Sequence, residues 1–292
     1  MSAAEPASLP APSDSRLARA AERRRRARRA IAISSISTFA VLGGLAALLV
    51  TSPGWNSVRR TFFSSSAFSD SFVHVLEGFW LDVRMFLVVE AVVLVFGMLI
   101  ALCRTVRSPA LFPLRLLSIV YVDVLRGVPT ILVVYLVGFG VPALALSGLP
   151  NGAVVLGGLA LAMCYSAYVA EVYRAGIESV HPSQSAAALA LGLTPAQTLR
   201  HVVVPQAVRR VVPPLLNDFI ALQKDVALVS ILGPQEAFRV AQIFAAEQFN
   251  YTPLLAAAAL YLCVTIPLTR LVDRLQSRAQ SQRGAALALG PR

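Results

Sequence analysis

Long apolar runs alternate with short polar breaks along the chain, and the lengths of the runs predict helices that cross a bilayer. An α-helix rises about 1.5 Å per residue, so an apolar run of about 20 residues spans the hydrocarbon core. The pattern predicts an all-α fold, a polytopic membrane helix bundle with about six transmembrane helices. The predicted spans cover residues 31–50, 78–103, 114–140, 152–170, 215–232 and 253–271.

Two polar breaks contain residues that interrupt helices. Inside the third run, Pro129 follows Gly127, and proline removes a backbone donor and clashes with the carbonyl four residues earlier. A longer break over residues 178–212 separates the fourth and fifth runs. There, Gly192 suits the positive φ that ends a helix, and Thr194 followed by proline is a typical start for the next one. The sequence therefore predicts a short helical hairpin between two spans.

The composition agrees with a membrane protein and indicates its orientation. Of 292 residues, 57% are hydrophobic and only 14% are charged, yet the net charge is +11 and the mean hydropathy is +0.68. Eight arginines lie between Arg16 and Arg29, and a second group closes the chain from Arg270 onward. Because arginine and lysine accumulate in cytoplasmic segments, both termini and the break at 178–212 are predicted to be cytoplasmic.

The segments outside the spans are assigned by composition. Residues 1–30 are predicted to form a disordered basic cytoplasmic tail, because they contain too little apolar surface for a core. Its arginines adjoin the first span without interleaved aromatic residues, which favours contact with membrane lipids over binding of nucleic acid. Residues 276–292 are predicted to be a second basic cytoplasmic tail. Residues 53–77, rich in serine, are predicted to be a polar connection outside the cell.

No catalytic, cofactor-binding or metal site is predicted. Cys103, Cys164 and Cys263 each lie in an apolar run, which is typical of small buried hydrophobic residues. The three histidines have no cysteine or carboxylate partner at the spacing of metal ligands. The sequence contains no nucleotide-binding motif G-x-x-x-x-G-K-[ST], so the chain is not predicted to hydrolyse ATP itself.

Ionisable residues inside predicted spans are costly in lipid and therefore indicate a partner or a pathway. At helical spacing Asn217, Lys224 and Ile231 share one face of the fifth span, which we predict to line a translocation path. Asp82 and Arg84 are expected to reach the lipid headgroups at the outer end of the second span. The candidate path residues are Glu90, Arg126, Asn217, Lys224 and Asp225.

Most of these residues also have a structural interpretation that the sequence leaves open. Glu90 is equally well explained as a neutral or hydrogen-bonded group at a helix contact. Arg126 and Asp123 are about one turn apart and could form a solvated pair at the membrane interface. Lys224 beside Asp225 could be a locally neutralised structural pair.

The break at residues 178–212 resembles the cytoplasmic coupling loop of ABC importer permeases, and its flanks resemble the polar amino acid branch of that family. The family pattern is Glu-Ala-Ala, three residues, Gly, nine residues, Ile, one residue and Leu-Pro. Here Ala186 stands in place of Glu, Ser183 in place of a usual Gly, and Val226-Ala227 in place of Thr-Ser. The matching stretches are Ala187-Ala188, Gly192, Val202, Val204–Ala207, Glu171–Ile177, Pro213–Asn217, Lys224-Asp225 and, with Val128 in place of Thr, Arg126–Pro129.

The resemblance covers residues 75–275 and implies the five-helix core of a type I ABC importer, with residues 31–51 as an additional N-terminal span. It implies the permease subunit of an ATP-driven importer for polar amino acids in a bacterial inner membrane. The implied partners are an ABC ATPase dimer that binds ATP and Mg, an extracytoplasmic solute-binding protein and a second permease chain, identical or related. The residues implied in coupling to the ATPase are Ser183, Gln184, Ala186, Ala187, Ala188, Gly192 and Pro205.

Two other classes of protein are compatible with parts of the sequence. One is a channel or ion-coupled secondary carrier for a small polar solute, in which Glu90, Lys224 and Asp225 relay an ion. No internal inverted repeat supports it, and the hairpin would have no purpose. The other is a membrane-anchored regulatory or scaffold protein that acts through its basic tail, which leaves the polar residues inside the spans unexplained.

Overall fold

The computed structural model describes residues 14–105 and 108–288, and all elements within these ranges are helices. The chain divides into two units after Arg60. The first unit contains α1 (Asp14–Val50), which is exposed along its apolar part. The prediction of a disordered tail is wrong for residues 14–30, which belong to α1. This segment is helical because alanine and arginine are strong helix formers. Residues 1–13 lie outside the described residues.

The helices that follow α1 range in length from 4 residues in α8 to 41 residues in α3. Two 3-10 segments, Pro109–Leu111 and Val226–Leu232, and one π-helical segment, Leu199–Val203, continue neighbouring helices. The α-helices are α2 (Trp55–Phe62), α3 (Ser65–Thr105), α4 (Phe112–Gly127), α5 (Thr130–Ala143), α6 (Ala153–Glu178), α7 (Pro182–Ala190), α8 (Pro195–Thr198), α9 (Val204–Asp225), α10 (Ala237–Gln248) and α11 (Thr252–Ala288).

The predicted spans are helical, and the all-α bundle of about six helices is confirmed. By length and apolar composition, α1, α3, α6 and α11 each contain a stretch able to cross a membrane, and α4 with α5 qualifies as a bent pair. The remaining predicted span, 215–232, comprises the second half of α9 and the 3-10 segment after it. It does not meet the same criterion because it contains three charged residues, Asp218, Lys224 and Asp225.

The predicted third span is broken rather than merely weakened. Helices α4 and α5 meet at an angle of 109°. Val128 and Pro129 between them have extended ψ angles of 133° and 131°. The residue before a proline is disfavoured in helical conformation, so the helix ends at Gly127 and a new one begins at Thr130.

Helix α6 lies at the centre of the second unit and packs against α3, α4, α5 and α9. It runs parallel to α3 and antiparallel to α9 and the 3-10 segment after it. Leu156, Leu161 and Leu222 are among the largest fully buried side chains of this core. Glycines at the helix contacts allow the backbones to approach closely, as is usual in membranes. The glycine contacts are Gly158 with Val89, Gly97 with Val169, Gly157 with Val229 and Gly176 with Val211.

Helix α10 closes the end of the second unit that lies opposite to the hairpin. A Cβ on Gly78 of α3 would lie only 2.7 Å from the carbonyl carbon of Glu236, so the two backbones are in contact. Helix α10 also packs on α11. The buried residues of this second core are Val75, Phe79, Ala237, Ala241 and Ala257.

The predicted polar connection over residues 53–77 is mostly helical. Residues 55–62 form α2, and α3 begins at Ser65, well before the apolar run. The start of α3 is stabilised by tertiary contacts, since Ser71 and Val75 are fully buried against the α10 end. Packing of one face therefore outweighs the weak helix preference of a serine-rich segment.

The three cysteines differ in burial. Cys164 is fully buried in α6, Cys103 is partly buried, and Cys263 in α11 is exposed. The prediction of a buried position is therefore wrong for Cys263. A lipid-facing side of a membrane helix is as apolar as its packed side, so an apolar run does not distinguish the two.

Candidate functional site

The break between α6 and α9 folds as a helical hairpin, residues 181–203. Helix α7 begins after His181, whose Nδ1 accepts a hydrogen bond from the Ser183 backbone N–H at 3.2 Å. It ends before Gly192, which has a φ of +85°. Helix α8 begins with a capping box, in which Thr194 and Gln197 exchange side-chain to backbone hydrogen bonds of 2.9 and 3.3 Å. The predicted helix, turn and second helix are confirmed.

One side of this hairpin is exposed and partly apolar. Leu191 is 82% exposed, and Leu189 is 46% exposed. Ala188, by contrast, is buried, and α7 packs against α8 and the π-helical segment Leu199–Val203. Exposed apolar groups outside the membrane spans indicate a surface for another protein. The exposed residues among those implied in coupling are Ser183, Gln184, Ala186, Ala187, Gly192 and Pro205.

Next to the hairpin, one carboxylate joins three helices. Glu171 of α6 lies 2.7 Å from Arg104 of α3 and 3.9 Å from Arg126 of α4. Arg174, one turn along α6, also pairs with Glu171 and with Glu178, the latter at 2.5 Å. The side chains of Arg104 and Glu171 are only 12% and 22% exposed. We call Glu171, Arg104, Arg126 and Arg174 the Glu171 cluster.

Two further contacts join the start of α9 to the end of α6. The Arg210 guanidinium of α9 donates a hydrogen bond to the Ser179 carbonyl. Gly176 packs so closely on Val211 that an added Cβ would overlap Val211 Cγ2. The two helices that flank the hairpin are therefore in direct contact next to it, and a displacement of one helix moves the other.

Gly176→Ala is expected to destabilise the chain by about 1–3 kcal/mol, the usual cost of overpacking. Val211 is β-branched and has one strongly preferred rotamer in a helix, so it cannot move aside freely. Thermal unfolding of the purified chain measures the effect. Adding Val211→Ala should restore part of the loss, whereas Gly140→Ala, where an added Cβ meets no atom within 4 Å, should lose nothing. A Gly176→Ala variant as stable as wild type would contradict the packing.

The candidate path residues of α9 point in different directions. Lys224 is exposed and lines a cavity of about 720 Å³ together with Leu228 and Ile231. Asn217 is also exposed. Asp225 turns towards α6, where it accepts a hydrogen bond of 2.8 Å from the Tyr165 hydroxyl. Within the described part of the chain Lys224 and Asp225 form no ion pair, so the neutralised-pair interpretation is wrong.

The other two candidates lie elsewhere in the bundle. Glu90 of α3 is partly buried and close enough to Asp218 of α9 for an electrostatic interaction. Arg126 belongs to the Glu171 cluster and lies over the Tyr168 ring at 5.8 Å, whereas Asp123 is exposed. Arg126 also interacts electrostatically with Asp218, so Glu90 and Arg126 have this neighbour in common.

A pair of buried acids at the α10 end is absent from the sequence-based predictions. Asp82 is 2% exposed and Glu236 is fully buried. Asp82 accepts hydrogen bonds from the Tyr261 hydroxyl at 2.7 Å and the Ala237 N–H at 3.3 Å. Glu236 caps α10 by accepting two N–H groups of its first turn at 2.6 and 2.7 Å. The pKa of Glu236 is raised to about 8, mainly because the carboxyl group is buried and secondly because the Asp82 carboxyl group is close.

This pair corrects the expectation that Asp82 reaches the lipid headgroups. Helix α10 folds over Asp82, and the distance along the chain between Asp82 and Glu236 hides their contact from the sequence. The acidic residue placed directly before an apolar helix, where a side chain caps the first N–H groups, is the signal that could have identified Glu236 as an N-cap.

Glu236→Gln is expected to make the stability of the chain less dependent on pH. An acid whose pKa is raised by folding contributes its full stability below its unfolded pKa of about 4.3, and that contribution is lost as the pH rises through its folded pKa. For Glu236 the loss runs up to a pKa of about 8. The Tm of wild type should therefore fall between about pH 5 and pH 9, and the fall should be smaller in the variant. The exposed Glu77 provides the control, because Glu77→Gln should keep the wild-type slope. An unchanged slope in Glu236→Gln would refute the assignment.

The fold and the hairpin together define a polytopic membrane protein with a surface for a second protein. The family model described as binding-protein-dependent transport system inner membrane component matches residues 93–281, which include α6, the hairpin, α9 and α10. The chain therefore belongs to this family and is a permease subunit of an ABC importer. Family membership excludes the channel, the ion-coupled carrier and the scaffold protein.

Similar proteins are also described as permeases of ABC transporters. The chain is 36% identical over 184 residues to a probable amino-acid ABC transporter permease protein of Sinorhizobium fredii, covering 61% of this chain and 77% of the relative. It is 31% identical to a probable glutamine ABC transporter permease protein of Bacillus subtilis, covering 72% and 95%.

The solved structures that resemble this chain are also ABC transporters. One chain of an amino acid ABC transporter crystallised with histidines is similar with a TM-score of 0.67 and 30% identity, covering 74% of this chain and 98% of that one. The MetNI methionine ABC transporter, in an inward-facing conformation, matches with a TM-score of 0.56, covering 70% and 95%. At 19% identity the second match concerns the fold alone.

Proposed function

We propose that this permease imports a polar amino acid, delivered by an extracytoplasmic binding protein, across a bacterial inner membrane. Relatives named as amino-acid and glutamine permeases, and the similarity to an amino acid transporter, support this substrate class. The complete importer contains two permease chains, identical or related, and an ATPase dimer. ATP and Mg are bound and used by that dimer, not by this chain.

The observation that carries the proposal is the exposed helical hairpin between α6 and α9. Its surface presents Leu189 and Leu191 outside the membrane spans, where a soluble subunit can cover them. An amphipathic helix placed in a groove of a partner is a common mode of recognition. We therefore assign α7 and the turn at Gly192 as the docking surface for the ATPase.

Movement of the hairpin is converted into movement of the spans through its attachments. When the ATPase dimer closes, it displaces α7. Arg210 and Ser179 link the start of α9 to the end of α6, and the Glu171 cluster links α6 to α3 and α4. Because these contacts leave little freedom at the hairpin end, the helices tilt together and expose the path alternately to the two sides.

The segment boundaries follow from the same assignment. The importer domain covers residues 75–275, with the cytoplasmic coupling loop at 178–212. Residues 31–51 are an additional N-terminal span. Both termini are cytoplasmic, including the basic tail at 276–292, and the arginines at positions 16–29 contact membrane lipids. Lys224 and Asn217, both exposed on α9, face the path. Asp225 at the end of α9, Glu90 of α3 and Arg126 of α4 support it.

Site-directed cross-linking tests the docking assignment. With Cys103, Cys164 and Cys263 replaced by serine, Gln184→Cys on α7 should cross-link to the co-expressed ATPase subunit, and Gln248→Cys at the opposite end should not. A membrane-impermeant thiol reagent added to intact cells should label the second variant only. Labelling of Gln184→Cys from outside, or amino acid uptake that persists without the ATPase, would refute the proposal.

A further inference from the structure

A cavity of about 720 Å³ lies between the end of α9, its following 3-10 segment, α10 and α11. This volume is within the range of small-molecule sites. Its wall is largely apolar, with Ile231 and Phe238 among the side chains that form it. Four polar side chains interrupt this wall, among them Lys224 from α9 and Arg239 and Gln242 from α10. We call this space the α10 cavity.

The charge on the wall of the α10 cavity is positive. Lys224 and Arg239 are both exposed, and neither forms an ion pair with another residue of the described ranges. The two nearest acids in sequence are engaged elsewhere, since Asp225 binds the Tyr165 hydroxyl and Glu236 caps the backbone of α10. Among the residues that the structure describes, no acidic side chain lines the cavity. Two cations beside an apolar wall are costly without a counter-charge, so the cavity favours an anionic group.

The arrangement matches a small amphiphilic acid. Arg239 and Gln242 are three residues apart and thus share one face of α10, opposite to Lys224 on α9. A guanidinium and an ammonium together satisfy both oxygens of a carboxylate with charge-assisted hydrogen bonds. The apolar side of the cavity then accepts the aliphatic part of the same molecule.

We infer that the α10 cavity binds the transported amino acid through its α-carboxylate, held by Lys224 and Arg239. This inference rests on the proposed function and specifies the chemical group that the permease recognises. The side chain of the amino acid lies against Ile231 and Phe238. Because the carboxylate is common to all amino acids, this site selects for the class of substrate, and the binding protein selects among its members.

Equilibrium binding to the complete transporter tests this inference. The probe is whichever of the twenty radiolabelled amino acids wild type accumulates most, and binding is measured without the binding protein. Unlabelled probe and its carboxamide, in which the α-carboxyl group is blocked, serve as competitors. Wild type should bind the acid at least about tenfold more tightly than the amide, since each charged hydrogen bond contributes about one to two powers of ten in affinity.

Variants of Lys224 and Arg239 test whether these two side chains cause the preference for the acid over the amide. Lys224→Gln and Arg239→Gln should each lower affinity for the acid by about tenfold, and the double variant should bind acid and amide equally. Arg84→Gln, an exposed arginine of α3 that stacks on Trp80 and does not line the cavity, should behave as wild type. The conservative Lys224→Arg and Arg239→Lys variants keep both charges and should retain the preference for the acid. If the glutamine variants do not assemble, loss of this preference in the conservative variants would refute the site.

The outcomes separate the two proposals. If wild type accumulates none of the twenty amino acids, the proposed function fails and this inference fails with it. If wild type accumulates one but binds acid and amide alike, or if the double variant still prefers the acid, only the carboxylate site is refuted. Loss of the second permease chain from the purified double variant would instead assign these cations to the contact between chains, and would also refute the site.

Discussion

Gly192→Val is expected to lower ATP-driven uptake at least about tenfold while the chain still folds and still binds its ATPase. Gly192 has a φ of +85°, a conformation in which a β-branched residue is strained by about 1–3 kcal/mol. No atom lies within 4 Å of the position that a Cβ would take, so the strain comes from the backbone alone. The hairpin consists of two short helices, and its turn is therefore expected to rearrange while the bundle stays intact.

The ratio of ATP hydrolysed to solute imported in proteoliposomes measures this uncoupling. Asparagine tolerates the left-handed conformation better than other residues with a side chain, so Gly192→Asn should keep most of the wild-type ratio. Retention of full ATPase stimulation by the loaded binding protein in Gly192→Val would show that the turn does not transmit the movement.

Glu171→Gln is expected to destabilise the chain by about 2–3 kcal/mol and to reduce uptake. The change leaves Arg104, only 12% exposed, without a counter-charge, whereas Arg174 keeps its pair with Glu178. Removing one partner of a buried ion pair costs about 3–5 kcal/mol, and the 22% exposure of Glu171 places the expected value below that range. The loss concerns the contact between α3, α4 and α6, so it should affect both unfolding and coupling.

Denaturant unfolding of the purified chain gives the first quantity, and uptake at equal expression gives the second. Glu178→Gln is the matched control, because Glu178 is 57% exposed and pairs with Arg174 alone. Exposed pairs contribute about 0–1 kcal/mol, so this variant should remain close to wild type. Equal stability of the two variants would mean that Glu171 is screened by solvent as fully as Glu178.

The prediction of the hairpin from the sequence succeeded because its signals are local. Positive φ at Gly192, the cap at Thr194 and the proline after it act within a few residues of chain. The break at Gly127–Pro129 was anticipated for the same reason, although the sequence could not give the angle of 109°. That angle depends on what α5 packs against, such as Leu232 at Gly138.

The placement of the polar residues could not be predicted with the same success. Arg126 was expected on the path or in a solvated pair with Asp123, yet it lies near Glu171, 45 positions further along the chain. Asp82 was expected at the lipid headgroups, yet α10 covers it. A helical period tells which side chains of one helix share a face, but it does not tell which partner that face meets.

The sequence alone determined the class of fold, the positions of the spans and the existence of the hairpin, because run length, proline and glycine act through the local backbone. Only the tertiary structure decided which charges meet, namely Glu171 with three arginines, Asp82 with Glu236, and Lys224 with Arg239 around one cavity. The reason is that a membrane helix is apolar on its lipid-facing and its packed sides alike, so hydropathy does not specify how the helices are rotated against one another.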